Sequence, residues 1–250
     1  MDRNEPIRVL VWDENPPHAP KEIYPNGIKG AIAEGLTESL GDAVAVKAVD
    51  LDDPDQGIGE AAIAAADVVI WWGHIRHGEV TDEAAARIKD RVHHHGLGFI
   101  ALHSAIHAKP FRSILDATGN LKGGWREDSR PEEIRVCAPH HPIAKGISDF
   151  TLPEEEMYGA PFDVPPPHCV ILQSYFPAGG EYFPCGLTWT VGDGIDPNFT
   201  IGPGGGVNQG EGIGRVFYFR PGHETNRTYF DANVRAVMAN AVVWAAKRSG

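Results

Sequence analysis

The chain has 250 residues, 42% of them hydrophobic, which allows a sizeable core in one large α/β domain or two small ones and excludes a disordered chain. Its formal charge is −12 and no Lys/Arg-rich run occurs, so neither a nucleic-acid groove nor binding to an anionic membrane is expected. Cys137, Cys169 and Cys185 lack C-x-x-C spacing and predict neither a disulfide framework nor a Cys-rich zinc site. No apolar stretch approaches the roughly 20 residues that span a bilayer. The charged start Asp2, Arg3 and Glu5 does not read as a signal peptide, so the expected location is cytoplasmic.

Ile7 to Trp12 is a short β-branched apolar run and reads as a buried strand. A Pro-rich loop from Asn15 to Pro25 follows, then Ile28, Ile32, Leu36 and Leu40 at helical spacing, closed by Gly41. Val44 to Val49 is a second strand, and an Ala-rich helix is predicted from about Glu60 to Ala66. Asp67 to Trp72 is a third strand, nearly all apolar. Thr81-Asp82-Glu83 supplies a hydroxyl cap and acids for a helix running to about His95 and ended by Gly96. The His93-His94-His95 triplet therefore reads as a helix end. Leu97 to Leu102 makes a fourth strand. This β-α alternation with continuous apolar strands predicts a parallel sheet covered on both faces.

The second half is less regular. Shorter strands are expected at 133–137, 169–172 and 186–189, a clear one at 214–219, and a closing helix carries Val234, Met238, Ala241 and Val242. No linker or internal repeat divides the chain, so one domain over 1–250 is expected. Residues 193–212 contain the run Gly202 to Gly206 and read as a flexible insertion. That run lacks the G-K-[ST] ending of a phosphate loop, and no nucleotide cofactor is expected.

Open parallel sheets bind ligands beyond the C-terminal ends of their strands. Those ends carry Trp12, Asp13, Glu14 and His18 after the first strand, and His74 and His77 after the third. His103, Ser104 and His107 follow the fourth, and Arg220, His223 and Glu224 the late one. Four strand ends thus deliver histidines to one rim. Ala101-Leu102-His103-Ser104-Ala105 has the small-x-nucleophile-x-small form of a strand-to-helix elbow, with a histidine at the centre. The plain alternative is a histidine that caps the turn.

His103 and His107 would share a helix face, a spacing used by metal-binding pairs, with His223 or Glu156 as a third ligand. The candidate metal set is His103, His107 and His223, and zinc is the best match. Ala108-Lys109-Pro110 is a competing signal that would end such a helix early. Within Pro153 to Tyr158, Glu154, with Glu155 beside it, reads as a solvated turn, and Glu156 beside Tyr158 as the inward base or ligand. Catalytic candidates are therefore His103, Glu156 and His223, and substrate-binding candidates are Trp12, His74, His77, Ser104, Tyr158 and Arg220 as an anion or carbonyl clamp. Trp71, Trp72 and Trp125 read as core, although aromatic faces near a polar rim suit sugars.

The elbow Leu102-His103-Ser104-Ala105, His141-Pro142-Ile143 with Gly146, the Glu155 to Tyr158 turn and the end from Gly214 to Glu224 together resemble the ThuA-like (trehalose utilisation) family. The match covers roughly residues 6–247. The resemblance implies a flavodoxin-like three-layer sandwich with a mostly parallel central sheet, related to class I glutamine amidotransferases. It also implies catabolism of trehalose and other glycosides, with His103, Glu156 and His223 at the matching positions. The 193–212 segment departs from the family's usual short link. No cysteine stands at the elbow, where a glutaminase needs a thiolate. The expectation is an enzyme doing acid/base, metal-assisted chemistry on a glycoside or keto-sugar, in a homodimer. The competing class is a non-catalytic sugar-binding or regulatory protein.

Overall fold

β1 (Ile7–Asp13) is an inner strand, because every side chain but one is apolar or buried and needs cover on both faces. The computed structural model describes residues 5–192 and 213–248. α1 (Gly27–Leu40), β2 (Val44–Asp50), α2 (Glu60–Ala65), β3 (Val68–Trp72), α3 (Asp82–His95) and β4 (Gly98–Leu102) follow in the predicted alternation. α4 (Lys109–Leu115), β5 (Trp125–Val136), β6 (Phe150–Tyr158), β7 (Cys169–Phe176), β8 (Glu181–Val191), β9 (Gly214–Phe219) and α5 (Ala232–Ala245) complete the fold.

Nine strands form one sheet in the order β2-β1-β3-β4-β9-β8-β7-β5-β6. The first five are parallel and the rest antiparallel. Helices cover both faces of the parallel part, giving three layers. Ile28, Ile32 and Leu36 of α1 and Val234, Met238 and Val242 of α5 pack on one face, against Val11, Ile70, Ile100 and Phe217. Ile63 of α2, Ile88 of α3 and Phe111 of α4 pack on the other, against Leu10, Val69, Phe99 and Val216. α3 behaves as its sequence predicts. Thr81 accepts from the Ala84 N–H, acids fill the first turn, histidines fill the last, and Gly96 closes it in the left-handed region.

Three local differences matter for the site. Pro110 lies in the first turn of α4 and opens that helix, since its missing N–H costs nothing there. Residues His103–His107 form a 3-10 turn, not an α-helical one. Finally, Glu154 to Tyr158, expected as a loop, is the end of strand β6. Pro153 is tolerated because β6 is an edge strand.

β5 begins at Trp125, well before the expected Glu133, and its register against β6 shifts at Arg126/Arg130 and Arg130/Glu132. Such bulges bend a strand pair. Only 133–136 of β5 pairs with β7, so the outer part of the β5–β6 hairpin is released to fold over the ends of β4 and β9. The 193–212 segment lies outside the described residues. Its neighbours Val191 and Gly214 pair with each other at the sheet end remote from His103.

Candidate functional site

β1 pairs with β2 on one side and β3 on the other, so strand order reverses there and a crevice opens beyond the two C-terminal ends. Glu14, buried just past β1, accepts from three successive backbone N–H groups: His74 (2.8 Å), Ile75 (2.7 Å) and Arg76 (3.0 Å). That carboxylate fixes the loop carrying His74.

His103 follows β4 with φ 56°, a left-handed backbone that costs a non-glycine residue about 1–2 kcal/mol. The strained elbow points the imidazole into the interior, stacked on Trp72 with ring centroids 6.0 Å apart. His103 Nδ1 lies 3.3 Å from the Arg220 carbonyl, and its Nε2 lies 3.2 Å from the Tyr158 hydroxyl and 3.4 Å from Glu156 Oε2. An Nδ1–H donated to that carbonyl leaves the Nε2 lone pair facing Glu156 and Tyr158. Ser104 Oγ hydrogen bonds to the Tyr158 hydroxyl from behind.

His74, His103, Glu156 and His223 each offer one ligand atom, and those atoms all lie within 4.8 Å of one another. In each imidazole one ring nitrogen is held from outside the group. Arg220 O holds His103, the Thr225 hydroxyl holds His223 Nδ1 at 2.7 Å, and Glu224 Oε1 holds His74 Nδ1 at 2.8 Å. The Glu224 carboxylate, 1% exposed, also pairs with His18 and lies 3.6 Å from His223 Nε2.

Burial, reinforced by His74 and His223, drives the His103 pKa well below its ordinary value. Burial likewise lowers His223, against the pull of Glu224 and Glu127. His74 is also desolvated, but the hydrogen bond and charge of Glu224 outweigh burial and raise it. Burial pushes Glu156 up to about 7 against the opposing charges of His74 and Arg220, placing this carboxyl where it can exchange a proton near neutrality. Glu224 falls to about 2 because its histidine contacts outweigh burial.

Of the residues singled out from sequence, His74, His103, Glu156 and His223 converge, with Ser104 and Tyr158 directly behind them. Four others do not. His107 is turned away, because a 3-10 turn has three residues per turn and does not align positions four apart. It packs against His77, ring centroids 6.2 Å apart, and that second pair stands outside the cluster. Trp12 is 1% exposed and stacks on Trp71 at 3.7 Å on the α2–α3 face, so it is core. Arg220 is fully buried and ion-paired with Glu132. Its guanidinium donates to the Glu156 carbonyl and ties β9 to β6 instead of clamping a ligand.

Glu155, expected in a solvated turn, is buried, pushed up to about 7 by desolvation, and accepts from the Gly222 N–H at 3.1 Å. Glu14, Glu224 and Trp72 were not selected as site residues. Their only signal is position, one or two residues past or at a strand end. A hollow of about 870 Å³ lies elsewhere, between β2 and α2, lined by alanine, valine and scattered charges without histidine or cysteine. The converging histidines lie at the other site, not there.

A doubly wound sheet with a strained elbow after β4 defines an α/β fold like that of glutamine amidotransferases, here with His103 at the elbow. A glutamine amidotransferase from Thermotoga maritima shares that fold, with TM-score 0.52 at 10% identity over 97% of this chain and 99% of that chain. The chain belongs to the ThuA family, described as trehalose utilisation, whose model matches residues 8–245.

ThuA-like proteins from Parabacteroides merdae and Bacteroides uniformis are similar in structure, each at 16% identity. The first has TM-score 0.64 over 96% of this chain and 90% of that one, the second 0.58 over 97% and 92%. No curated protein matches the chain. Among the described residues no helix is long and apolar enough to cross a membrane.

Proposed function

We propose that the chain is a metal-assisted acid/base enzyme acting on a glycoside or keto-sugar. The observation that carries this reading is the convergence of His74, His103, His223 and Glu156 within one 4.8 Å group. The donor set fits a divalent ion, zinc best: the three imidazoles would hold it in an open catalytic site, with the Glu156 carboxylate beside them as the base. Glu156 Oε2 supports the fit, being buried with no hydrogen-bond partner and so free to serve as the base beside an ion. So does the anchoring of each imidazole through its other nitrogen, the usual arrangement around metal-bound histidines. When bound, such an ion polarises a carbonyl or hydroxyl pair of the sugar.

The chain's own residues do the rest. Glu156, held near neutrality by burial, takes or returns the proton of the activated C–H or O–H. Tyr158 and Ser104 hold His103 in one orientation. Glu224 keeps His74 turned inward. Glutamine hydrolysis is disfavoured because Cys185 is buried in the core, while Cys137 and Cys169 stand outside the cluster.

Elemental analysis of tag-free protein grown in metal-replete medium tests the reading. About one equivalent of zinc or another transition metal is expected, and His103→Ala should lose both the metal and at least ~100-fold in turnover of keto-glycosides. Less than about a tenth of an equivalent in the wild type would sink the metal model. Sugar binding by the wild type without turnover of any keto-glycoside would favour a non-catalytic binder.

A further inference from the structure

The hairpin that delivers Glu156 also carries an aromatic side chain that no step above uses. Trp125, the first residue of β5, is 65% exposed, whereas Trp12, Trp71, Trp72, Trp189 and Trp244 are all buried. An indole face left in water forgoes a large apolar contribution, so its position matters.

In the antiparallel ladder Trp125 stands directly opposite Tyr158, and directly opposed residues project from the same face with Cβ atoms about 5 Å apart. Tyr158 is the residue whose hydroxyl meets His103. Two residues along β5, Glu127 Oε1 reaches within 3.8 Å of His223 Nε2. Trp125 is therefore bracketed by two contacts to the cluster.

Its backbone is held tightly. Gly123 donates to the Gly159 carbonyl at 3.0 Å, and Gly159 donates to the Gly124 carbonyl at 2.8 Å. A Cβ on either Gly123 or Gly159 would lie 2.5 Å from the other's backbone, so only glycines permit this approach. Ile75, 57% exposed, follows His74 on the loop that Glu14 fixes. The other large exposed apolar side chain, Tyr182, is stacked on Tyr175 at 4.4 Å. No ring covers Trp125 among the described residues.

We propose that Trp125 is the stacking platform for a pyranose ring of the substrate, an inference that rests on the carbohydrate reading above. The faces of a pyranose present C–H groups and its edge presents hydroxyls. An indole at the mouth of a polar cluster can cover the first while the edge points inward to Glu156 and the imidazoles. Ile75, next to His74, adds an exposed apolar side chain beside the cluster. Trp125 thus sets which face of the sugar is held and takes no part in proton transfer.

Trehalose and methyl glucoside serve as probes, read by intrinsic fluorescence and calorimetry. Both should change wild-type tryptophan emission saturably, because the single exposed indole is the one that is covered. Trp125→Ala should abolish that change and weaken binding at least about tenfold. Its metal content and melting temperature should equal wild type. Trp125→Phe should retain most of the affinity.

Wild-type affinity in Trp125→Ala overturns the platform and leaves the metal and acid/base reading standing. A smaller assembly in Trp125→Ala with unchanged sugar affinity also overturns it, showing that the ring is covered by a second copy of the chain. If wild type binds neither these sugars nor a keto-glycoside, both the platform and the carbohydrate reading fall, whatever its metal content.

Discussion

His103 shows how much one dihedral decides. Its left-handed backbone turns the ring off the strand axis onto Trp72, and the same turn aims Nε2 at Glu156 and Tyr158. Remote from this rim, Asp67 ties the start of β3 to β1. Its carboxylate accepts from Arg8 N at 2.9 Å, Nε at 3.1 Å and Nη2 at 2.7 Å. Burial opposes the charge, but these bonds win and hold Asp67 below its ordinary 3.8.

A depressed carboxyl pKa means the contribution is complete above the unfolded value and is lost as pH falls through the folded one. Asp67→Asn should cost about 1–2 kcal/mol at pH 7, the lower end for charged hydrogen bonds because Arg8 is half exposed. Urea denaturation should show the gap from wild type closing as pH falls below the ordinary carboxylate range. At this scale Glu156 was legible, since an acid beside an aromatic near a polar rim has few other uses. Arg220 was not: an arginine after a core strand serves a ligand or a buried Glu132 equally well, and only the partner decides.

The β5–β6 hairpin is the element on which the site depends, and it was the least legible. A strand rich in Glu and interrupted by Pro153 lacks the apolar alternation that marks a half-buried strand, so it read as a loop. It is held by ladder bonds to β5 and by the buried contacts of Glu155 and Glu156, which are tertiary. Its close approach at Gly123 and Gly159 gives a sharp test. Gly159→Ala drives a methyl to 2.5 Å from the Gly123 backbone, so the strands must separate. Overpacking of this kind costs about 1–3 kcal/mol. The melting temperature should fall and the Trp125 emission should change, whereas an unchanged protein would mean that the hairpin does not depend on this contact. By contrast α3 was legible from end to end, because hydroxyl cap, acidic first turn and terminal glycine are local signals.

Across the whole molecule, the parallel and antiparallel halves of the sheet meet at β9–β8, and the buried Arg220–Glu132 pair stitches them together. Ser174 on β7 donates to the Glu132 carboxylate, and Arg220 at the end of β9 reaches both Glu132 on β5 and the Glu156 carbonyl on β6. Arg220→Met should strand a fully buried carboxylate and cost about 3–5 kcal/mol, read as a lowered denaturation midpoint. Adding Glu132→Leu to that variant should recover much of the loss, because an apolar pair removes the stranded charge.

Apolar runs and helix caps along the chain were enough to specify the strands of the parallel half, the covering helices other than α4, and the elbow at His103. These rest on periodicity and on contacts between residues close in sequence. Which histidine joins His103 was decided in three dimensions. A 3-10 turn set His107 aside, the Glu14 carboxylate brought His74 in, and a bulged hairpin carried Glu156 over from the far edge of the sheet. The last two outcomes depend on hydrogen bonds between segments dozens of residues apart, which no local pattern encodes.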